Sequence, residues 1–115
     1  LQPLRDEGVL IVGSGSVTHN LSIALKSHLD DPAPDWVIRF RDWVFEAVKD
    51  DRRDDLENYR SICPDAVRNH PTEEHFFPLL CAIGATERGE ENRRIHVSET
   101  YASLAMDAYL FGQEY

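Results

Sequence analysis

The hydrophobic positions in the first third of the chain predict a strand, a loop and a helix. Val9–Val12 is an unbroken run of aliphatic residues flanked by glycine, which is typical of a strand buried on both faces of a parallel sheet. A loop of small residues, Gly13–Thr18, follows it. Three leucines then recur at every fourth position and predict a helix from about His19 to Leu29 with one apolar stripe. The stripe consists of Leu21, Leu25 and Leu29.

The middle of the chain has the clearest helical pattern. Apolar residues at helical spacing predict a helix from Asp35, a suitable N-cap, to about Lys49. A highly charged turn and two short helices are expected next. Pro71–Gly84 has the features of another helix, with Thr72 as its cap and an apolar stripe further on. Pro78 removes one backbone donor, so this helix is expected either to begin late or to bend there.

The C-terminal region favours strands. Arg93–Ser98 and Ser103–Phe111 predict a pair of β-strands, the second with apolar residues at the alternate positions Leu104, Met106, Ala108 and Leu110. With the elements before them, these strands predict an α/β fold: a mainly parallel sheet flanked by helices, with a C-terminal β-pair. Residues 1–115 are predicted to form one unit.

Composition and charge exclude several classes of function. Twelve basic and twenty-one acidic residues give a net charge of −9, which disfavours binding to nucleic acid or to an anionic membrane surface. No apolar run reaches the roughly 18 residues of a membrane span, and the first residues lack the pattern of a signal peptide. The two cysteines match no zinc or redox motif and favour reduced thiols in a cytoplasmic protein. The chain begins with Leu1 at an apparent linker, so we expect it to be truncated or proteolysed.

The glycine-rich loop matches none of the common nucleotide-binding or nucleophile motifs. It has Thr18 where a dinucleotide fingerprint has its third glycine, it lacks the lysine of a P-loop, and it lacks the central serine of a nucleophile elbow. What remains is a turn at the carboxyl end of a strand, where α/β proteins bind their ligands. This turn delivers His19 to that position.

Two histidines are the candidate chemical groups. His19 and His75 each lie at a predicted helix start, and they could share one metal ion or one substrate. A lone histidine at such a position more often caps or packs. Neutral imidazole suits zinc and non-haem iron, but such sites need at least about three protein ligands, so two histidines form an incomplete set. Among the others, His70 is expected at the surface and His28 in the last turn of a helix, while His96 fits either the core or a cleft.

Three segments resemble the motifs of one enzyme family. Gly13–Leu21 is similar to G-S-G-N-x-x-H-N-L, Pro71–Leu80 to P-T-P-E-H-[FY]-x-P-L, and Ser103–Met106 to S-L-S-M. These motifs are those of class III extradiol ring-cleavage dioxygenases of the DOPA 4,5-dioxygenase type. Ser16 and Glu73 depart from the family pattern, and neither change affects a histidine. The order and spacing resemble the C-terminal half of such an enzyme, and they imply that the chain is part of a larger single domain.

The resemblance implies a non-haem metal enzyme that opens a catechol such as DOPA with O₂. It implies Fe(II) as the cofactor, with Zn(II) possible in the purified protein. His75 would be a metal ligand, and His19 would be either a second ligand or the catalytic acid–base. Glu74 is the alternative ligand, but neighbouring helical residues point about 100° apart, which favours His75 alone.

The resemblance also implies a partner. The other metal histidines would come from the N-terminal half of the same enzyme, so the chain alone is expected to be inactive. If the assignment holds, the two imidazoles must lie within roughly 8 Å of each other. The alternatives are a non-catalytic α/β binding module and a zinc-dependent hydrolase.

Overall fold

The computed structural model describes residues 1–112, which form seven helices and four short strands. The helices are α1 (Gln2–Asp6), α2 (Leu21–Ala24), α3 (Asp35–Lys49), α4 (Arg53–Glu57), α5 (Tyr59–Ile62), α6 (Ala66–Asn69) and α7 (Phe77–Gly84). The strands are β1 (Asn92–His96), β2 (Glu99–Thr100), β3 (Leu104–Ala105) and β4 (Ala108–Phe111). None of these helices has the length and apolar character needed to cross a membrane. The predicted unit extends to residue 115, and residues 113–115 lie outside the described part.

Helix α3 is the centre of the core, and its predicted bounds are confirmed. Pro34, in extended conformation, occupies the N-cap position, and Asp35 is the first helical residue instead of the cap. One face of α3 is buried against α4, α6 and β1. The largest fully buried apolar side chains of the core come from several elements: Phe40, Val37, Val44, Val48, Leu56, Tyr59 and Phe76.

The C-terminal β-pair is present, in a more divided form than predicted. β1 pairs antiparallel with β4, and the register slips between Arg94 and His96. β2 and β3 form a second antiparallel pair. The predicted single strand Ser103–Phe111 was wrong, because the chain breaks it after Ala105. Ala102 adopts a positive φ of 59° just before β3, and the Met106 N–H bonds the Ser98 carbonyl at 2.8 Å, so β3 and β4 pair with different partners.

The predicted strand Val9–Val12 does not form within the described part of the chain. This segment lacks strand pairing, and its side chains are largely exposed, with Leu10 at 80% and Val12 at 76%. A parallel strand needs neighbouring strands to satisfy its backbone groups. Among residues 1–112, Leu10–Gly15 make no main-chain hydrogen bonds. The mainly parallel sheet is therefore absent from the described residues.

The predicted helix His19–Leu29 is reduced to the single turn α2. The Asn20 side chain accepts a hydrogen bond from the Ile23 N–H at 3.2 Å, which fixes the helix start at Leu21. The prediction of a buried leucine stripe was wrong. Ala24 is the buried residue, whereas Leu21, Leu25 and Leu29 are between 49% and 82% exposed. His28 is also exposed and lies beyond the helix.

Helix α7 begins late, which is one of the two outcomes predicted from Pro78. It starts at Phe77, so Pro78 stands in the first turn, where its missing N–H costs no hydrogen bond. Thr72 caps no helix, because Pro71–Phe76 is a turn before α7. His75 therefore lies in a turn that the following helix supports. Of the two free cysteines, Cys63 is buried and Cys81 on α7 is exposed.

Candidate active site

The imidazoles of His19 and His75 are in direct contact. Their ring centroids are 3.5 Å apart, and the ring planes differ by 11°, so the rings are stacked. The prediction that these two histidines converge is confirmed. Their chemical roles are a separate matter and remain predictions.

The main chain around His19 is anchored by a dense set of hydrogen bonds. The His19 N–H donates to the Asn69 carbonyl at 2.9 Å, and the Asn20 amide donates to the Arg68 carbonyl at 2.7 Å. Thr18, fully buried, donates through its hydroxyl to the Ser103 carbonyl and accepts from the Ala105 N–H. These bonds join the loop to α6 and β3, and they fix the position from which the His19 ring projects.

The turn that carries His75 packs directly on the glycine loop. The Ser16 N–H donates to the His75 carbonyl at 2.9 Å. A Cβ atom on Gly15 would lie 3.0 Å from Pro78 Cγ and closer still to the His75 carbonyl oxygen. A Cβ on Gly13 would collide with the Pro78 carbonyl in the same way. The two glycines are therefore required by close backbone approach, and this approach brings the two histidines together.

His70 is buried, and its predicted surface position was wrong. Its side chain has no exposed area, and its Nε2 lies 2.7 Å from the Val17 carbonyl oxygen. A carbonyl can only accept, so Nε2 carries the proton and donates. Burial lowers the pKa of His70 to about 4, so the ring is neutral near pH 7. His70 thus ties the Pro71–His75 turn to the loop that leads to His19.

Sequence reasoning missed the supporting role of His70 and Asn69. Both residues are fully buried, and the Asn69 side chain donates to the carbonyls of Trp36 and Asp65. A polar Asn-His pair just before a proline suggested an exposed loop. The sequence feature that could have indicated burial is the position of this pair immediately before the His75 motif. Backbone carbonyls of the neighbouring loop need hydrogen-bond donors there.

The polar surroundings of His75 are asymmetric. Its Nδ1 is buried and has no hydrogen-bond partner among residues 1–112, although Glu74 Oε1 is only 3.5 Å away. The same Glu74 oxygen accepts a hydrogen bond from the Thr72 hydroxyl at 2.8 Å. A hydrogen bond from its own backbone N–H and the Thr72 hydroxyl lower the pKa of Glu74, so this side chain is ionised. Burial, followed by the charge of His75, lowers the pKa of His19.

A large open cleft is lined in part by His75. Its volume is about 1280 Å³. Residues 8–17 and 107–111 also line it, together with Leu79. Among residues 1–112, β4 pairs with β1 alone, and the residues of β4 line the cleft. The segment Val9–Val12 and β4 therefore line the same space.

The donor set suits a divalent metal ion, but it is incomplete within the described residues. Imidazole is a good ligand for non-haem iron and zinc, and the buried Nδ1 of His75 leaves its other ring nitrogen to face a ligand. Within residues 1–112, no group of three or more His, Cys, Asp and Glu side chains is placed to hold a metal ion. The chain can thus supply part of a metal site.

Comparison with known proteins identifies the family. Residues 1–111 match the family described as the catalytic LigB subunit of aromatic ring-opening dioxygenase. The chain belongs to this family of extradiol-type dioxygenases. This membership confirms the resemblance found in the sequence motifs, and it favours the dioxygenase interpretation over a binding module or a zinc-dependent hydrolase.

Three similar proteins support the same assignment. The 4,5-DOPA dioxygenase extradiol of Beta vulgaris is 36% identical over 111 residues, which cover 96% of this chain and 41% of the relative. The enzyme of that name from Escherichia coli K12 is 36% identical over 94 residues, covering 79% of this chain and 34% of the relative. The crystal structure of an uncharacterized Escherichia coli K12 protein aligns with a TM-score of 0.81 at 30% identity, covering 95% of this chain and 45% of that one. The chain spans about two fifths of the length of the curated relatives it matches.

Proposed function

We propose that this chain is the C-terminal, histidine-bearing part of an extradiol dioxygenase that opens a catechol ring with O₂. The observation that carries the proposal is the stacked pair of His19 and His75, which comes from two motifs far apart in the sequence. In this reaction the carbon–carbon bond beside the diol breaks, and both atoms of O₂ enter the product. A DOPA-like catechol is the proposed substrate, since the relatives are named for DOPA.

The proposed cofactor is Fe(II), with Zn(II) as a possible occupant of the purified protein. When bound, the metal would hold the catechol and O₂ side by side and polarise both. His75 is the proposed ligand from this chain. It lines the cleft, its main chain is fixed by the bond from Ser16, and its Nδ1 is buried, so its other nitrogen is the one available to a metal.

His19 is proposed as the acid–base that handles the catechol proton. The lone pair of an imidazole nitrogen lies in the plane of its ring. The two rings are nearly parallel and their centroids are 3.5 Å apart, so one ion cannot lie in both planes as they stand. Binding of both rings to one metal would require them to splay apart. No such rearrangement is needed if His75 alone binds the metal and His19 acts as the acid–base. Imidazole is suited to proton transfer near neutral pH.

The N-terminal half of the same enzyme is the proposed partner, and it would provide the remaining metal ligands. Val9–Val12 and β4 both line the cleft, and among residues 1–112 the first has no strand partner and the second pairs with β1 alone. Strands added between them would satisfy both edges and cover the apolar side chains of Leu10 and Val12. This arrangement would also close the cleft around the substrate.

Substitution of the two histidines in the complete enzyme tests the proposal. His75→Ala is expected to lose the metal. His19→Ala is expected to keep most of it and to lose turnover by roughly 10²–10⁴-fold, the usual contribution of acid–base catalysis. Metal content by elemental analysis and the appearance of the yellow ring-opened product are the two measurements. The exposed His28→Ala is the control and should match wild type in both.

Three outcomes would contradict parts of this proposal. Equal loss of metal in both variants would make His19 a ligand. Unchanged turnover in both would remove the dioxygenase site from these histidines. Ring opening by the 115-residue chain alone would show that no partner half is needed.

A further inference from the structure

We propose that Glu74 is a positioning residue, which holds the His75 imidazole with its proton on Nδ1 and leaves Nε2 as the metal donor. The part that concerns the metal rests on the proposed function. The part that concerns the proton does not, because it depends only on side chains of this chain. The two parts can therefore be tested separately.

The geometry around Nδ1 carries the inference. This nitrogen is buried and lacks a hydrogen-bond partner among residues 1–112. The carboxylate oxygen Oε1 of Glu74 is 3.5 Å from it. This distance is longer than the roughly 3 Å of an N–H···O hydrogen bond by about 0.5 Å. A buried polar nitrogen that faces a carboxylate gains from making this bond.

Thr72 holds the carboxylate in place. Its hydroxyl donates to the same Glu74 oxygen at 2.8 Å, although the Glu74 side chain is 61% exposed. Without this bond, an exposed glutamate would sample many rotamers. Thr72, Glu74 and Nδ1 of His75 therefore form a short chain of polar groups within one turn. The spacing Thr-x-Glu-His in the sequence is what builds it.

The chemistry of the two partners selects one tautomer. A neutral imidazole carries a proton on one nitrogen and a lone pair on the other. An ionised carboxylate can only accept, so Nδ1 must be the donor in this contact. The lone pair then lies on Nε2, as a metal ligand requires. Metal-bound histidines commonly donate their other N–H to a carboxylate, which fixes the ring and raises its basicity.

The neighbouring Glu73 provides a matched control. It lies in the same turn, but its carboxylate is 3.8 Å from the Arg60 guanidinium, and among residues 1–112 it has no ion pair with a histidine. Glu74 is also a better orienting group than metal ligand, since its Oε1 already faces both Thr72 and His75. Glu74 can orient His75 from its present position, without a change of its side-chain conformation.

Nitrogen NMR of the ring in the 115-residue chain tests the tautomer directly. At a pH where the ring is neutral, His75 should carry its proton on Nδ1 in wild type, in Glu73→Ala and in Glu74→Gln, whose amide oxygen can still accept. In Glu74→Ala the proton should move mainly to Nε2, which is the ordinary preference of histidine in water. A wild-type proton on Nε2, or a Glu74→Ala spectrum that matches wild type, would overturn the inference.

Thr72 supplies a second and milder variant. Thr72→Val should give a mixture of tautomers, and Thr72→Ser should restore the wild-type spectrum. Serine keeps the hydroxyl and valine lacks it. A tautomer change that appears in Thr72→Val and is absent in Thr72→Ser therefore reports the loss of the hydroxyl. Identical ring spectra in all three proteins would remove Thr72 from the proposed chain.

Zn(II) binding to the complete enzyme tests the metal part. Glu74→Ala is expected to bind Zn(II) about 10–100-fold more weakly, the usual cost of removing such a partner, while Glu73→Ala should bind as wild type does. An unchanged affinity in Glu74→Ala would overturn the metal part. Unchanged affinity in His75→Ala would instead contradict the proposed function, and it would leave the tautomer result intact.

Discussion

Residues 9–15 and residues 16–20 are consecutive in the chain, yet they differ in how many hydrogen bonds join them to the rest of the molecule. Ser16, His19 and Asn20 are joined to the rest of the molecule by hydrogen bonds from their main chain or side chain. Leu10–Gly15 make no main-chain hydrogen bonds within the described residues, and Leu10 is 80% exposed. The part that positions His19 is therefore held by this chain itself. The part before it contacts the His75 turn and Pro78 through Gly13 and Gly15 but has no main-chain hydrogen bonds from Leu10 to Gly15 among residues 1–112.

The largest expected effect is a loss of stability at low pH, because the anchoring of residues 16–20 depends on neutral His70. The pKa of His70 is lowered by burial from 6.5 to about 4, so between these values the unfolded chain binds a proton that the folded chain does not. The stabilisation is complete above about pH 6.5 and is lost as the pH falls toward 4. Since each pH unit in this window is worth about 1.4 kcal/mol, the loss is about 3 kcal/mol. Urea unfolding across this pH range measures it.

A glutamine at position 70 is the matching variant. Its amide N–H can donate to the Val17 carbonyl but does not titrate, so His70→Gln should flatten the pH dependence in this window. His28→Gln removes an exposed histidine and should leave the dependence as in wild type. If His70→Gln kept the full slope, the anchoring of the loop would not depend on a neutral His70.

A methyl group at Gly15 should separate the two histidines. Gly15→Ala places a Cβ against the His75 carbonyl, so the loop and the turn must move apart, at a cost of about 2 kcal/mol. Gly84→Ala at the end of α7 is the control, because a Cβ there meets no atom within 4 Å. It should be neutral or slightly stabilising. Equal stability of the two variants in urea unfolding would mean that the close approach at Gly15 is not required.

Replacement of Leu10 should have the smallest effect on the chain alone. Because the side chain is 80% exposed, Leu10→Ser should change the free energy of unfolding by less than about 0.5 kcal/mol. Val17→Ser in the held part is the contrast, and it should cost about 2 kcal/mol because Val17 is only 5% exposed. In the complete enzyme, Leu10→Ser should become clearly destabilising. A large effect in the chain alone, or none in the complete enzyme, would contradict this division.

The sequence predicted those elements whose partners lie within the chain. Helix α3 has its apolar face covered by neighbouring elements, and its bounds Asp35–Lys49 were predicted correctly. The strand Val9–Val12 was not found, because no strand among residues 1–112 pairs with this segment. The predicted helix His19–Leu29 was too long. The spacing of Leu21, Leu25 and Leu29 is helical, but the helix that Asn20 caps has only one turn.

The site followed a similar rule. The family motifs were sufficient to predict that His19 and His75 lie close together, and their rings are in contact. They were not sufficient for His70, because polarity suggests the surface and only the three-dimensional fold provides the carbonyl of Val17 as a partner. A buried polar residue is recognised by what it bonds, and such a bond joins residues far apart in the sequence.

The two cysteines allow the folded fraction of the protein to be measured by chemical labelling. Cys81 is exposed on α7, while Cys63 is buried and its thiol pKa is raised by that burial. An alkylating reagent should therefore add one label per folded molecule and two per unfolded molecule. The mass of the labelled protein reports the folded fraction without any optical probe. The same selectivity allows a spectroscopic tag to be attached to α7, the helix that supports the His75 turn.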